Sequence, residues 1–334
     1  MKDEGQKRLL ESLRQLTGEP WAGLDPLGGG RNSRVWRAFS PVGRVAAVKQ
    51  YFRSPADPRD RLGVEWQALR FVHKYLPSRV PAPWAIDEAQ GLAVYEFIAG
   101  QAPAGHQGLA EDIAPLIDFL SELLRLGLKP EASGLPEASE ALFDLENFAD
   151  RIKTRLDRLT DFSGPPELNS RLKIFLETRL KPELDHCLTL GGPGSSLPSR
   201  ILSPSDFGFH NAVRRPSGEL VFIDFEYFGW DDPAKLIIDT WLHPHEHMTL
   251  SPDQQRKWLE AAVGLYGRQD PGLPERLRLL APWLRLKWSL ILLNEFVKNE
   301  AGRRAFSGRS LDPAGLETQL RRAEIMLDNK IEVS

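Results

Sequence analysis

The chain has 334 residues, of which 41% are hydrophobic and 27% are charged, and its formal net charge is −3. These values are ordinary for a soluble globular protein of one large domain or two, and they lack the basic excess that binding to a nucleic-acid backbone requires. The sequence shows no signal segment and no apolar run as long as a membrane span, and its 1 cysteine excludes an internal disulfide. We expect a cytoplasmic protein without nucleic-acid or membrane partners.

The first hundred residues predict a small lobe that is rich in β-strands. Leucines at helical spacing predict a leading helix at about 3–16. Apolar runs separated by turn signals then predict five strands and one further helix, ending near residue 98. The segments with predicted bounds are strands at 35–39, 44–51, 84–86 and 91–98 and a helix at 60–75. We expect residues 1–98 to form a nucleotide-clamping lobe.

A glycine-rich segment precedes these strands. Gly28, Gly29 and Gly30 are followed by Ser33, so the segment matches Gly-x-Gly-x-x-Gly-x-Val except that a serine stands at the third glycine. Small residues let backbone N–H groups approach phosphates closely. Three consecutive glycines on their own also fit a flexible turn.

Charged residues follow the glycines in the order that a nucleotide site needs. Lys49 ends an apolar strand, where it can pair with the α- and β-phosphates, and Glu65 lies on the next helix, where it can orient that lysine. The segment 95–98 would be a hinge, and backbone groups near Glu96 and Ile98 can hydrogen-bond adenine. Taken alone, Lys49 and Glu65 would each be interpreted as solvated surface charges.

Residues 99–334 predict a second lobe that is mainly helical. Its predicted helices lie at 109–126, 139–160, 167–188, 233–242, 252–267, 274–302 and 312–330. A loop rich in glycine, proline and serine at 190–199 leads into the segment 201–233, where two aspartates and an asparagine lie at the ends of a predicted hairpin.

Asp206, Asn211 and Asp224 repeat the order of a kinase active site, in which Asp-x-x-x-x-Asn precedes a strand that ends on a second aspartate. Kinases use the first aspartate to deprotonate a hydroxyl, and the asparagine and second aspartate to hold magnesium. We therefore predict Asp206 as the base and Asn211 and Asp224 as metal ligands. Asp206 also begins a literal Asp-Phe-Gly, but the metal-binding aspartate should follow the Asp-x-x-x-x-Asn loop, as Asp224 does. The simpler alternative is two loop aspartates and an N-capping asparagine.

These motifs resemble the aminoglycoside phosphotransferase and choline kinase family. The resemblance covers nearly the whole chain, and the residues that carry it are Gly28 to Val35, Lys49, Glu65, Glu96, Asp206, Asn211, Asp224 and Asp232-Pro233. It implies an α+β, bilobal protein-kinase-like fold with a small antiparallel β N-lobe and a mainly helical C-lobe. It also implies a kinase that uses ATP and Mg²⁺ to phosphorylate a hydroxyl of an amino sugar, sugar or amino alcohol.

The chain departs from that family at three places. Pro204-Ser205-Asp206 replaces His-Gly-Asp, so a histidine that normally braces the catalytic loop is missing. Ser33 replaces a glycine, and Leu236 stands where a second acidic residue is usual, so Asp239 is the candidate for that bracing role. Phe209-His210-Asn211 replaces His-Pro-Gly-Asn and keeps the asparagine in register.

The segment between Asp224 and Asp232-Pro233 is too short for the peptide-binding platform of a protein kinase. The acceptor should therefore be a small molecule. Glu226, Trp230 and Asp231 are candidate contacts, because carboxylates beside aromatic faces favour an amine or a sugar hydroxyl. Further candidates lie downstream, although the tryptophans among them fit a core equally well; they are Trp283, Trp288, Glu295 and Glu300.

Two other functions fit parts of the sequence. A metal-dependent hydrolase would use His243, His245 and His247 with Glu246, but histidines at every second residue converge only on a strand, and Pro244 interrupts this segment. Solvated loop histidines are expected there instead. A non-catalytic or weakly active, pseudokinase-like nucleotide-binding module would explain the missing catalytic-loop histidine, but not why the lysine and metal ligands remain. The sequence leaves the acceptor and the oligomeric state open.

Overall fold

The computed structural model describes residues 2–28, 30, 32–54, 57, 59–103, 113–160, 162, 164–190, 199–245, 248, 250–297, 306 and 312–331. Within these ranges the chain forms the predicted α+β fold, with a β-rich N-lobe followed by a helical C-lobe. No helix in the described part is long and apolar enough to cross a membrane.

The N-lobe is built on a five-stranded antiparallel sheet with the strand order β1-β2-β3-β5-β4. The strands are β1 (Gly23–Gly28), β2 (Ser33–Phe39), β3 (Val45–Tyr51), β4 (Pro83–Asp87) and β5 (Leu92–Glu96). The sequence predicted the last four, and it gave no bounds for β1, whose Asp25-Pro26 is unusual in a strand.

Two helices cover the two faces of this sheet. Helix α1 (Lys2–Thr17) packs against one face, where Trp21, Trp36 and Val48 form a small core. Helix α2 (Arg61–Tyr75) lies on the other face and joins the large core of the protein. Because side chains alternate along a strand, Val48 faces α1 while its neighbour Lys49 faces α2 and the cleft.

The C-lobe consists mostly of helices packed around one core. They are α3 (Ile113–Leu126), α4 (Leu145–Asp157), α5 (Pro166–Phe175), α6 (Lys181–Leu190), α7 (Pro233–Leu242), α8 (Pro252–Tyr266), α9 (Leu273–Leu292) and α10 (Pro313–Asp328). A π-helical turn at Leu176–Leu180 joins α5 to α6, so the single helix predicted at 167–188 is essentially continuous. The helix predicted at 139–160 starts later, because Asp144 caps it by accepting from the Glu146 N–H.

Two short two-stranded antiparallel sheets, of which only the second is a hairpin, carry the polar residues of the C-lobe. Strand β6 (Ile201–Ser203) pairs with β9 (Gly229–Asp231), and β7 (Ala212–Arg214) pairs with β8 (Leu220–Phe222). The predicted base follows β6, whereas the predicted metal ligands precede β7 and follow β8. These two small sheets therefore bring three loop ends to one side of the C-lobe, opposite the N-lobe sheet.

Candidate active site

Lys49 is the centre of a charged cluster that joins the two lobes. Its Nζ lies 2.6 Å from Glu65 Oε2, 2.5 Å from Asp224 Oδ1 and 3.5 Å from Glu226 Oε2. Burial opposes the charge of Lys49, but Asp224, Glu65 and Glu226 outweigh it and hold the pKa of the lysine well above its ordinary value. The structure thus brings together three residues that the sequence predicted separately, Lys49, Glu65 and Asp224.

Glu65 is fixed from both lobes. Tyr51 on β3 donates its hydroxyl to Glu65 Oε2 at 2.6 Å, and the backbone N–H of Phe225 donates to Oε1 at 3.3 Å. The side chain of Glu65 is almost completely buried. The glutamate therefore links α2 to the residue that follows Asp224, and it holds Lys49 in one position.

This cluster carries an excess of negative charge. Glu65, Asp224 and Glu226 each offer a carboxylate oxygen, and these oxygens lie within 4.8 Å of one another. Burial and, next, the charge of Asp224 raise the pKa of Glu226 to about 7. Asp224 has a φ of 65°, which is uncommon for a residue other than glycine and is typical of functional sites. Carboxylate oxygens that outnumber the nearby cations are suited to a hard divalent cation such as Mg²⁺.

The glycine-rich segment forms the turn between β1 and β2. Gly28 ends β1 with a φ of 107°, Gly30 is exposed, and Ser33 is buried at the start of β2. Gly29 lies outside the described residues. The predicted phosphate loop is therefore located above the cleft at the end of the sheet that carries Lys49.

Asn32 in this turn was missed by the sequence analysis. Its Nδ2 donates to Glu226 Oε1 at 2.8 Å and to the Tyr227 hydroxyl at 2.5 Å. Nothing local to the sequence marks this contact, since the partners lie nearly two hundred residues away. Through Asn32, the glycine-rich turn is attached to the segment after Asp224.

The predicted hinge follows β5. The Glu96 backbone N–H donates to Ala82 O at 2.8 Å, and its carboxylate accepts from Arg215 Nη2 at 3.1 Å. Ile98 is buried, and within the described residues its backbone N–H makes no hydrogen bond. The Glu96 side chain thus ties the hinge to the β7–β8 hairpin, and the contact of Ile98 with adenine stays a prediction.

Asp206 lies at the tip of the loop after β6, and 31% of its side chain is exposed. Its Oδ1 is 3.0 Å from His210 Nε2 and 3.0 Å from His243 Nε2, and its backbone carbonyl accepts from Asn211 Nδ2 at 2.8 Å. Burial favours the neutral acid, but the two histidines outweigh it and hold the pKa of Asp206 well below its ordinary value. Asp206 is therefore ionised at neutral pH, and Asn211 keeps its side-chain oxygen available for a metal ion.

Aromatic packing fixes the loops that carry Asp206 and Asp224. Phe207 and Phe225 directly follow the two aspartates, and both pack against Phe119 of α3, with ring centroids 6.1 Å and 6.3 Å away. Phe222 stacks on the same ring at 4.2 Å. A single core cluster therefore sets the relative position of the two loops.

A buried lysine braces the catalytic loop from below. Lys235 on α7 lies 3.3 Å from Ser205 Oγ, 2.6 Å from Asp231 Oδ2 and 3.2 Å from Asp239 Oδ2. Ser205 has a φ of 66°, so this contact stabilises a strained residue immediately before Asp206. Asp239, which was predicted to take the bracing role, acts on the loop through Lys235.

Two of the three predicted acceptor contacts have structural partners instead. Asp231 is fully buried, and besides Lys235 it accepts the N–H of Leu142 at 3.0 Å. The Trp230 indole N–H donates to Ala132 O at 3.1 Å. Glu226, the third, belongs to the Lys49 cluster. The carboxylate of Asp231 and the indole N–H of Trp230 are therefore occupied inside the protein, and the substrate roles of these two residues stay predictions.

The other candidate acceptor residues lie in different environments. Trp283 is a core residue, whereas Trp288 is half-buried and donates its indole N–H to Asp239 Oδ1 at 2.8 Å. Glu295 lies in a 3₁₀ turn at Leu293–Phe296, and Glu300 lies outside the described residues.

The histidine segment after α7 differs from its prediction. His243 is not a solvated loop residue, because only 10% of its side chain is exposed and its ring contacts Asp206. His245 is exposed, and Glu246 and His247 lie outside the described residues. The contact with Asp206 could not be anticipated from a periodic pattern, since 37 residues separate the two side chains.

No family model matches the chain, and no curated protein matches its sequence. Solved structures do match over nearly its full length. The choline kinase LicA from Streptococcus pneumoniae is 16% identical with a TM-score of 0.61, and the match covers 97% of this chain and 99% of that one. A choline/ethanolamine kinase family protein from Mesorhizobium loti is 18% identical with a TM-score of 0.60, covering 98% and 95%.

The spectinomycin phosphotransferase APH(9)-Ia, solved with ADP and spectinomycin, is 12% identical with a TM-score of 0.62, and the match covers 95% of this chain and 98% of that one. The chain therefore has the protein-kinase-like fold of choline kinases and antibiotic phosphotransferases, as the sequence motifs predicted.

Proposed function

We propose that the protein is a kinase that transfers the γ-phosphoryl group of Mg-ATP to a hydroxyl of a small molecule. The observation that carries this proposal is the position of Lys49, which contacts both Glu65 and Asp224 while Asp206 and Asn211 lie on the neighbouring loop. Kinases need the ion pair between such a lysine and a helix glutamate before phosphoryl transfer, together with a second aspartate that can hold Mg²⁺. The similar fold of small-molecule kinases supports the same reaction.

The cleft residues have separable tasks in this reaction. Lys49 and the backbone of the glycine-rich turn would bind the phosphates, and Asn211 Oδ1 and Asp224 would hold Mg²⁺, with Glu226 beside them. Bound Mg²⁺ supplies the positive charge that offsets the triphosphate. Asp206 accepts the proton of the acceptor hydroxyl as its oxygen attacks the γ-phosphorus, and the bond from that phosphorus to the ADP oxygen breaks.

The acceptor is proposed to be a sugar, amino sugar or amino alcohol. Only seven residues separate Asp224 from Asp232, so the chain has no peptide platform at this position. The structures that resemble it include enzymes named for choline, ethanolamine and spectinomycin. Residues 1–98 would clamp the nucleotide, and the remainder would bind the acceptor.

A non-catalytic nucleotide-binding module is the second candidate, and the missing His-Gly-Asp histidine favours it. The ionised state of Asp206 and the intact Lys49 cluster count against it. The two functions differ in turnover. A panel of small alcohols, amino sugars and sugar acids, incubated with Mg-ATP and followed by ADP release, should identify at least one acceptor. Binding of Mg-ATP without transfer to any member, and without hydrolysis, would support the non-catalytic module.

A further inference from the structure

Two imidazoles contact the same oxygen of Asp206. His210 and His243 both place Nε2 at 3.0 Å from Oδ1, and within the described residues Oδ2 accepts no hydrogen bond. The two rings stack with centroids 3.9 Å apart and planes 13° apart. Both side chains are at least nine-tenths buried, so water competes little for these contacts. The carboxylate is therefore held at one oxygen and open at the other.

The hydrogen bonds of His243 define its tautomer. The backbone N–H of His245 donates to His243 Nδ1 at 3.3 Å, so Nδ1 is an acceptor and the ring proton is on Nε2, facing Asp206. Burial and the neighbouring His210 lower the pKa of His243 to about 4, which agrees with a neutral ring. Trp288 packs edge-on against His243, with ring centroids 4.9 Å apart, and Trp288 is itself anchored on Asp239.

The same three side chains could be considered as a site for a transition metal. A metal ion binds imidazole in the plane of the ring, about 2.0–2.1 Å from the nitrogen. The two rings are nearly parallel with centroids 3.9 Å apart, so one metal ion cannot lie in the plane of both. Hydrogen bonds to Oδ1 tolerate this geometry better, so the arrangement favours orientation of the carboxylate over metal binding.

We propose that His243 is a positioning residue for the catalytic base, and that together with His210 it fixes Oδ1 of Asp206 so that Oδ2 alone faces the acceptor hydroxyl. This inference rests on the proposed kinase function. Pro204-Ser205 stands where the family has His-Gly, so the usual bracing histidine is missing from the loop. The inference assigns a bracing role to a histidine from the end of α7 instead. The deprotonation of the acceptor then always occurs at the same carboxylate oxygen.

Three variants test this proposal with Mg-ATP and water as the acceptor. His243→Ala should lower kcat about 10- to 100-fold, because a misplaced base loses its near-attack geometry, and should leave KM for Mg-ATP nearly unchanged. His243→Gln should recover most of kcat, since its amide N–H can reach Asp206 Oδ1. His186→Ala is the matched control, because this histidine is exposed on α6 and has no part in the cleft, and it should turn over like the wild type.

Two kinetic results would overturn the proposal. In the first, both variants fold but His243→Gln is no faster than His243→Ala; in the second, His243→Ala raises KM for Mg-ATP and preserves kcat. A bound metal ion in the wild type that is absent from His243→Gln would also overturn it.

The tautomer of His243 gives a readout that is independent of turnover. ¹⁵N NMR at pH 7 should show His243 neutral with the proton on Nε2, and an imidazolium or an Nδ1–H ring would contradict the proposal. If the wild type bound Mg-ATP but never turned it over, the proposed function would fail while this measurement still tested the geometry.

Discussion

The two sides of the cleft manage charge in opposite ways. Around Lys49, one ammonium group faces three carboxylates, of which Glu65 and Glu226 are buried and Asp224 is partly exposed. Around Asp206, a single carboxylate is held by imidazoles, of which His243 is neutral because its pKa is lowered to about 4. In the proposed reaction the first region would receive Mg²⁺ and phosphates, whereas the second would orient one proton acceptor. The difference explains how two aspartates on neighbouring loops can have different tasks.

The largest effect should follow the loss of the proton acceptor. Asp206→Ala should reduce phosphoryl transfer about 10²- to 10⁴-fold, the range for removal of a general base. Steady-state ADP release with the best acceptor of the panel measures this. Asp253→Ala, an exposed aspartate at the start of α8, is the matched control. Retention of more than a tenth of the wild-type rate in Asp206→Ala would assign proton acceptance to another group.

The Lys49 side should respond as a unit. Lys49→Ala and Glu65→Ala should each reduce kcat/KM about 10²-fold, since either change misplaces the phosphates and leaves a buried charge without its partner. The double variant should be about as impaired as the worse single variant. Kinetics of the complete double-mutant cycle measure the coupling, and losses that multiply would mean that the two residues act independently.

Most of the fold and the charged side of the cleft could be predicted from the sequence. Lys49, Glu65 and Asp224 lie in motifs with fixed spacing from strands and a helix, so local patterns locate them. The helices were predicted because their apolar residues repeat with helical period. The exception, β1, contains a proline and two glycines and is half exposed, so it lacks a strand pattern.

The supporting contacts on both sides of the cleft could not be predicted in the same way. His243, Asn32 and Lys235 act through contacts with residues that are 30 to 194 positions distant in the chain. Such contacts depend on tertiary packing and leave no periodic signal. Asp231, a predicted acceptor contact, likewise accepts the N–H of Leu142, which is 89 positions distant, in addition to its contact with Lys235 four residues along the chain.

A smaller effect should follow when the glycine-rich turn is detached from the segment after Asp224, on the Lys49 side of the cleft. Asn32→Ala removes two hydrogen bonds to Glu226 and Tyr227, and we expect KM for Mg-ATP to rise about 5- to 10-fold with little change in kcat. Tyr227→Phe, which removes only one partner, should raise KM less. A fall in kcat at constant KM would instead connect Asn32 with the chemistry on the Asp206 side.

The smallest effect concerns Asp232, which caps α7 below both regions. Burial raises its pKa to about 6 despite Arg276, above the ordinary value of 3.8. The folded protein therefore binds this proton more tightly than the unfolded chain, so the associated stability is present below pH 3.8 and is lost as the pH rises through 6. Asp232→Asn keeps an acceptor for the Ala234 N–H.

Thermal unfolding between pH 4 and 7 measures this effect. The Tm of Asp232→Asn minus that of the wild type should increase with pH by about 2–6 °C. Asp253→Asn should show no such increase, because the pKa of that exposed carboxyl is lowered by Lys257. A constant difference for Asp232→Asn would mean that Arg276 fully compensates the buried charge.

The most direct test of the division between the two regions is calorimetric titration of Mg-ATP into Asp206→Ala and Asp224→Ala. The Asp206→Ala protein should bind Mg-ATP with a Kd within about threefold of the wild type, since Asp206 faces the acceptor. The Asp224→Ala protein should bind at least about tenfold more weakly, and its affinity should no longer depend on Mg²⁺. Loss of Mg-ATP binding in Asp206→Ala with binding preserved in Asp224→Ala would reverse the two assignments and contradict this account.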